Sequence, residues 1–251
     1  MSGHSKWSSI KHKKGAADAK RGKLFTKLAR AITVAARDGG GNPDANPALG
    51  LAVQKARDAS MPKDNIQRAI DRGTGEGEDA AAIESVVYEG YGPGGAAILV
   101  ETLTDNRNRT GSEVRHAFEK HGGSLGEPGS VSWQFEKRGV ILLDGERYSE
   151  DDLMPAIDAG AEDVSEDGDL IKVLAPASAL AEVRSALEGA GVEVQSAELA
   201  MEPKSVVEVG EGDAPRLLRL MDALEEHDDV DSVHANFDVP EEILTRVAAT
   251  T

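Results

Sequence analysis

Between Lys6 and Lys23 the chain carries seven basic residues, Lys6, Lys11, Lys13, Lys14, Lys20, Arg21 and Lys23, against a single acid, Asp18. Lysine and arginine at this density bind phosphates by releasing the counterions condensed on a polyanion, which depends on charge density more than on exact spacing. His12 sits inside the cluster, and Lys27 and Arg30 continue it along the chain. Together these residues form the first candidate site, and the chemistry they suit is contact with a nucleic-acid backbone. Trp7, within the same arm, has two uses open to it. It can stack on a base or sugar, or it can pack on folded protein, which is the more ordinary fate.

Asn106, Arg107, Asn108, Arg109 and Thr110 form a second candidate anion site. They follow an expected strand and precede an expected helix N-terminus, where unbonded backbone amides attract anions. The two arginines add fork-shaped donors. The alternative is a polar loop whose asparagines bond their own backbone, and the residues alone leave both open. Gly90-Tyr91-Gly92-Pro93-Gly94-Gly95 matches the GxGxxG spacing but is rejected as a dinucleotide site, because that mechanism needs a helix after the glycines and a strand is expected here. Glu150-Asp151-Asp152 fits carboxylates in a first helical turn. The six histidines are scattered, and the chain has no cysteine, no HExxH, no GxSxG and no GxxxxGK[ST]. No catalytic residue, metal ligand set, cofactor or small-molecule substrate is therefore expected, and the protein reads as a non-enzyme.

The charge of the whole chain is divided in a way that supports the first site. Residues 1–75 hold 15 basic and 6 acidic residues, a net +9, whereas the remainder holds 13 basic and 39 acidic, a net −26. Such asymmetry points to a polyanion partner for one end. The acidic body repels that partner and so favours one docking orientation. Only 4% of the residues are aromatic, which suits several small aliphatic cores better than one large core. No run of 18 apolar residues is present, so no membrane span is expected. The basic N-terminal segment lacks the apolar stretch of a secretory signal, and a cytoplasmic location is expected.

Residues 1–14 read as a serine- and lysine-rich arm. Helical periodicity follows over 16–37, with Leu24, Phe25, Leu28, Ile32 and Ala35 on one arc and Lys20, Lys23, Lys27, Arg30 and Arg37 on the other. Gly39-Gly40-Gly41 ends that helix. Asn46-Pro47 caps a second helix running to about Ala59. Pro62 opens a third, with Ile66, Ala69 and Ile70 inward and Gly73 as terminator. Residues 73–79 are a linker by composition. Strands are expected at 86–88 and 96–103, then a helix capped by Thr110 with Glu113 three residues on, stopped at Gly122-Gly123. Next comes the order βαββαβ: 140–143, 150–159, 162–165, 169–174, 176–188 and 192–199, the ferredoxin-like arrangement. Strand 206–209, helix 214–226 and strand 230–237 make only half of another unit, whose missing half is 84–121. The predicted fold is multi-domain α and α+β: an N-terminal three-helix domain followed by two ferredoxin-like α+β domains, one inserted in the other. The expected boundaries are 1–75, then 76–134 with 203–251, around an insertion at 135–202.

Several long and compositionally unusual segments resemble the YebC/PmpR family: residues 2–14, Lys23-Leu24-Phe25-Thr26-Lys27-Leu28, Met61-Pro62-Lys63-Asp64-Asn65-Ile66, residues 88–95, residues 104–110 and Gly129-Ser130-Val131. The likeness covers nearly the whole chain. It implies three domains, one inserted in another, and either a cytoplasmic bacterial regulator or a mitochondrial relative that activates translation. Two activities are implied: DNA binding as a transcriptional regulator, and ribosome binding that relieves stalling at consecutive prolines. The family's basic surface carries over to Lys6, Lys11, Lys13, Lys14, Lys20, Lys23 and Lys27. The −26 on residues 76–251 departs from a purely electrostatic contact through the α+β domains.

Three functions follow: a DNA-binding transcriptional regulator, a ribosomal-RNA-binding translation factor, and a protein–protein adaptor working through sheet edges. Polyanion chemistry favours the first two without separating DNA from RNA. The three-helix domain shows no clear helix-turn-helix recognition helix. Its third expected helix offers Lys63, Asn65, Gln67, Arg68 and Arg72, which suit base reading and ordinary surface equally. On physical grounds alone this tilts toward structured RNA, whereas the family resemblance favours a DNA-binding regulator.

Overall fold

A computed structural model describes residues 18–76, 83–167, 169–240 and 242–244. Residues 135–204 form one compact unit, and the rest of the chain forms another.

The second of these units starts with three helices, α1 (Asp18–Gly39), α2 (Pro47–Asp58) and α3 (Lys63–Asp71). Leu28, Ile32, Ala36, Leu49, Val53, Ala56, Ile66 and Ile70 form their shared core. The buried stripe of α1 therefore starts at Leu28, and Leu24, expected inward, is exposed one turn beyond it. Asn46 fixes the first corner. Its side chain accepts from the Leu49 amide at 3.1 Å and donates to the Ala35 and Gly40 carbonyls at 2.8 and 2.9 Å. One buried amide thus caps α2 and ties off α1, satisfying backbone groups that a helix end leaves open. Gly73 does not terminate α3 by a left-handed turn. The chain continues through a wide turn, Arg72–Glu76, and the left-handed residue is Gly75 at φ 95°. Gly73 is instead a close-approach glycine, since a Cβ there would stand 2.3 Å from the Thr33 carbonyl oxygen on α1.

Strands β1 (Glu84–Tyr91) and β2 (Ala97–Thr104) pair antiparallel. Gly90 and Tyr91, expected in the turn, are the last paired residues of β1, and the turn is residues 92–96, with Gly94 and Gly95 both at positive φ. Helix α4 (Arg107–Lys120) and the short β3 (Ser124–Leu125) follow. The chain then enters the other unit: β4 (Phe135–Asp144), α5 (Met154–Asp158), β5 (Asp163–Asp167), β6 (Leu170–Pro176), α6 (Leu180–Gly189) and β7 (Val194–Pro203). Its antiparallel sheet has the order β5-β6-β4-β7, the ferredoxin-like order. The helix expected over 150–159 is shared between a 3-10 turn, Glu150–Leu153, and α5. Asp152 is structural there, accepting from the Ser149 amide at 2.8 Å.

The return passage adds β8 (Val207–Glu208), α7 (Ala214–Glu225), β9 (Val230–Ala235) and β10 (Phe237–Asp238). Strand β9 pairs with β2 to complete a sheet of order β3-β1-β2-β9, reached by a different chain route from that of the inserted unit. Helices α4 and α7 supply Val114, Phe118, Leu217, Leu218 and Met221 to the core beneath this sheet. The fold is thus the expected multi-domain one, a helical domain and two α+β domains of ferredoxin-like kind with one inserted. Among the described residues no helix is long and apolar enough to cross a membrane.

A buried carboxylate organises the loop that carries Gly129-Ser130-Val131. Glu89, on β1, accepts from the amides of Gly129, Val131 and Ser132 at 2.8, 2.7 and 2.8 Å. Burial alone would raise the Glu89 carboxyl, but those amides outweigh it and hold it below its ordinary value. Replacing Glu89 with glutamine puts an NH2 where one of those oxygens accepts, so a loss of about 1–3 kcal/mol is expected. Thermal unfolding and amide exchange at residues 129–132 check it, and unchanged protection would mean that other contacts hold the loop.

Candidate nucleic-acid interface and the joint beside it

The basic residues expected to face a phosphate backbone divide into three groups. Lys6, Lys11, His12, Lys13 and Lys14, with Trp7, lie outside the described residues. Lys20 belongs to the described backbone of α1. Arg21 and Lys23 are exposed on α1, with the Arg21 guanidinium 5.8 Å from the centre of the Phe25 ring. Lys27 and Arg30 are a correction to the expectation, because they are engaged inside the protein. Lys27 Nζ donates to the Glu225 carbonyl at 2.6 Å. Arg30 Nη1 donates to Asp229 Oδ1 at 2.7 Å and to the Asp228 carbonyl at 3.0 Å. Lys23 adds a looser contact, 3.4 Å from Asp228 Oδ1, with both side chains largely exposed. Positions 23, 27 and 30 share one face of α1, and that face meets the acidic segment between α7 and β9. Burial lowers the Lys27 ammonium's pKa despite the carboxylates of Asp231, Glu225 and Asp228.

Asp229 is the centre of this joint. Its side chain is 3% exposed. Oδ1 takes Arg30, while Oδ2 takes Arg109 Nη2 and Thr110 Oγ1 at 2.7 Å each and Thr104 Oγ1 at 3.2 Å. The backbone is held as well: the Leu103 amide donates to the Asp229 carbonyl at 2.8 Å. A single carboxylate therefore joins α1 of the helical domain to β2 and α4 of the α+β domain. Arg37 provides a further tie, donating from Nη1 to the Ile83 carbonyl ahead of β1.

The second expected anion site changes character for the same reason. Thr110 is not a helix cap. Asn106 is, accepting the Arg109 amide on its side chain at 3.1 Å, and the helix starts at Arg107. Thr110 lies inside the first turns, fully buried, with its hydroxyl on Asp229. Arg109 is bound by Asp229 and, at 2.9 Å, by Asp105. Asn106, Arg109 and Thr110 are thus structural, and Arg107 and Asn108 remain exposed on the helix surface.

Burial would raise the Asp229 carboxyl, but the hydrogen bonds from Arg109, Thr110 and Arg30 prevail and hold it well below the usual carboxylate range. Glu113, His227 and Asp229 also bring one donor atom each within 4.8 Å of one another, a composition that suits a divalent cation. Each of those atoms already has a protein partner. His227 Nδ1 accepts the Asp229 amide at 3.1 Å, which leaves the proton on Nε2 for Glu113 Oε2 at 2.8 Å. A cation there would have to displace Arg30 or Arg109, so the cluster fits a hydrogen-bonded joint better than a metal centre.

Sequence reasoning passed over Asp229 and Glu89. Asp229 stands in the run Asp228-Asp229-Val230-Asp231, which reads as solvated charge, and Glu89 stands in a strand beside glycines. The available signal was Val230, whose place at the head of a buried strand puts the preceding residue at a sheet end.

Replacing Asp229 with alanine leaves two arginines facing each other, and a loss of about 3–5 kcal/mol is expected. The pH dependence has a definite sign. A depressed folded-state pKa contributes stability that is complete above the unfolded value of about 4 and is lost as pH falls below it. Urea unfolding of the wild type and Asp229→Asn should show a wide gap at pH 7 that narrows below about pH 4, and a constant gap would remove the carboxylate from that role.

Two family descriptions match this chain: "TACO1/YebC protein N-terminal domain" over residues 5–76 and "TACO1/YebC second and third domain" over residues 83–237. A "probable transcriptional regulatory protein" of Rubrobacter xylanophilus is 59% identical over 249 residues, covering 99% of this chain and the whole of that relative. One of the same description from Dictyoglomus turgidum is 52% identical over 246 residues, covering 97% of this chain and 98% of its own. A crystal structure of a conserved hypothetical protein from Aquifex aeolicus, Aq1575, superposes with a TM-score of 0.83 at 49% identity, covering 90% of this chain and 94% of that one. With both the helical and the α+β domains matched, the chain belongs to the TACO1/YebC family.

Proposed function

We propose that this protein is a non-enzymatic regulator of gene expression that binds nucleic acid through its basic N-terminal segment. The observation that carries the reading is the division of charge, +9 on residues 1–75 against −26 on the rest. The internal use of Lys27 and Arg30 sharpens it, because the cations left for a ligand then concentrate toward the N-terminal end of α1, at Arg21, Lys23 and the cluster before them. The relatives described as probable transcriptional regulatory proteins support the regulatory role.

Duplex DNA is the favoured ligand on one further feature. Helices α2 and α3 are joined by only residues 59–62, with Ser60 in the left-handed region at φ 59°. That is a tight helix–turn–helix connection. It leaves Lys63, Gln67, Arg68 and Arg72 exposed on and just beyond α3. Structured ribosomal RNA is the second reading, supported by the shortness of α3, nine residues, as a groove reader.

Changing Lys11, Lys13 and Lys14 together to glutamate should abolish binding to a mixed-sequence 20-base-pair duplex while leaving the circular dichroism spectrum intact. Anisotropy titrations from 50 to 200 mM salt read that loss. The same titration with a structured RNA hairpin separates the two ligands. Wild-type affinity for both in the triple variant would refute the proposal.

A further inference from the structure

We infer that the cleft over Tyr88 on the outer face of α4 is a second nucleic-acid contact, which takes a single-stranded segment with a base on the tyrosine ring and its phosphates on Arg107 and Arg115. This rests on the nucleic-acid reading above and adds to it a place and a strandedness.

The cleft is shallow, about 360 Å³, and its lining includes Tyr88, Arg107, Asn108, Gly111, Ser112 and Arg115. Residues 107, 111 and 115 lie on one face of α4, with the two arginines about 12 Å apart along the helix axis. Gly111 stands between them, and it is what lets the tyrosine lie against the helix: a Cβ there would be 3.3 Å from the Tyr88 hydroxyl. The hydroxyl donates to the Arg107 carbonyl at 3.1 Å, fixing the ring in place. The ring is half-buried and packs against the core beneath the sheet, and its exposed part, fixed between two cations, offers a stacking surface with phosphate ligands on either side. Asn108 and Ser112 add hydrogen-bonding groups for a base edge or sugar.

These two arginines lie in the part of the chain that holds 13 basic and 39 acidic residues, where several cations are matched by acids. Lys120, Lys137 and Arg219 are also exposed without an ion pair among the described residues, and what sets Arg107 and Arg115 apart is that both line one cleft. Arg109 is bound to Asp105 and Asp229, Arg138 to Glu136, Arg147 to Glu193 and Arg216 to Asp213. Arg107 and Arg115 are exposed, and among the described residues neither makes an ion pair. The helix N-terminus contributes nothing here, because Asn106 already caps it. A single strand suits the cleft better than a duplex, since the tyrosine ring needs an unpaired base and a long duplex would run over the surrounding acids.

The test is the double variant Arg107→Ala/Arg115→Ala in the full chain, titrated with a labelled 12-nucleotide mixed-sequence single strand and with a duplex of the same length. Single-strand affinity should fall about tenfold and its salt slope by about two, with a smaller change on the duplex. Ultraviolet crosslinking followed by peptide mapping should place the base on Tyr88 and lose that adduct in the variant. Unchanged single-strand affinity and slope, alongside lost binding in the triple lysine variant, would overturn the cleft and leave the proposed function standing. Unchanged binding in both variants would instead overturn the function. Equal losses on single strand and duplex would make the arginines general phosphate contacts, and displacement of the oligonucleotide by micromolar AMP would reassign the cleft to a free nucleotide. Either result overturns the inference as stated.

Discussion

The Asp229 carboxylate is where two differently built parts of the chain become one unit. Burying a charge costs several kcal/mol unless it is fully paired, and this one takes bonds from Arg30, Arg109, Thr110 and Thr104. Those partners come from a helix of the N-terminal domain, the first helix of the α+β domain and the strand between. Strand β2 and helix α4 share the sheet core, but α1 belongs to a separate apolar cluster. The placing of α1 against them therefore leans on directional bonds, most of them converging on Asp229, with Lys27 and Arg37 adding ties to backbone carbonyls. An arginine pair converging on a carboxylate fixes orientation as well as distance, which a greasy interface of the same size would not.

This joint also decides which positive charges a ligand can use. The helical domain looks uniformly basic along its first helix, yet the middle of that helix is neutralised by the chain's own acids. Arg30 is paired with the Asp229 carboxylate, and Lys27 and Arg30 give further donors to the Glu225 and Asp228 backbone carbonyls. The same sorting acts at the start of α4, where Arg109 is internal while Arg107, two residues earlier, is not. Adjacent cations in one motif thus have opposite fates. Helical geometry separates them, since positions two apart point in nearly opposite directions.

Much of the architecture was legible because periodicity and punctuation agree along most of the chain. Helix α1, the Asn46-Pro47 cap, the glycine-rich turn between β1 and β2 and the βαββαβ order all follow from patterns of two or 3.6 residues broken by glycine and proline. What was not legible came from contacts between segments far apart in sequence. Thr110 with Glu113 satisfies the capping-box spacing, but Asn106 starts the helix earlier and Thr110 serves Asp229, 119 residues away. Gly73 has the look of a terminator, and its reason is the Thr33 carbonyl pressed against it. The same line separates what could be counted at the candidate sites from what could not. Charge segregation is a property of the chain and could be counted, whereas the pairing of Arg30 with Asp229 exists only once the chain has closed.

The proposed function asks a basic end to hold a polyanion beside a strongly acidic body, and distance along α1 bears on how far the two conflict. The Debye length at physiological ionic strength is about 8 Å. Arg21 and Arg30 are nine residues apart on one helix, about 13 Å of axial rise, more than one screening length, although the Asp228 carboxylate reaches forward to Lys23. The Asp229 carboxylate is moreover compensated in place, taking two guanidinium groups. A net charge of −17 therefore overstates the repulsion at the start of α1. On the proposed function, charge of this kind bears on selectivity of docking more than on affinity.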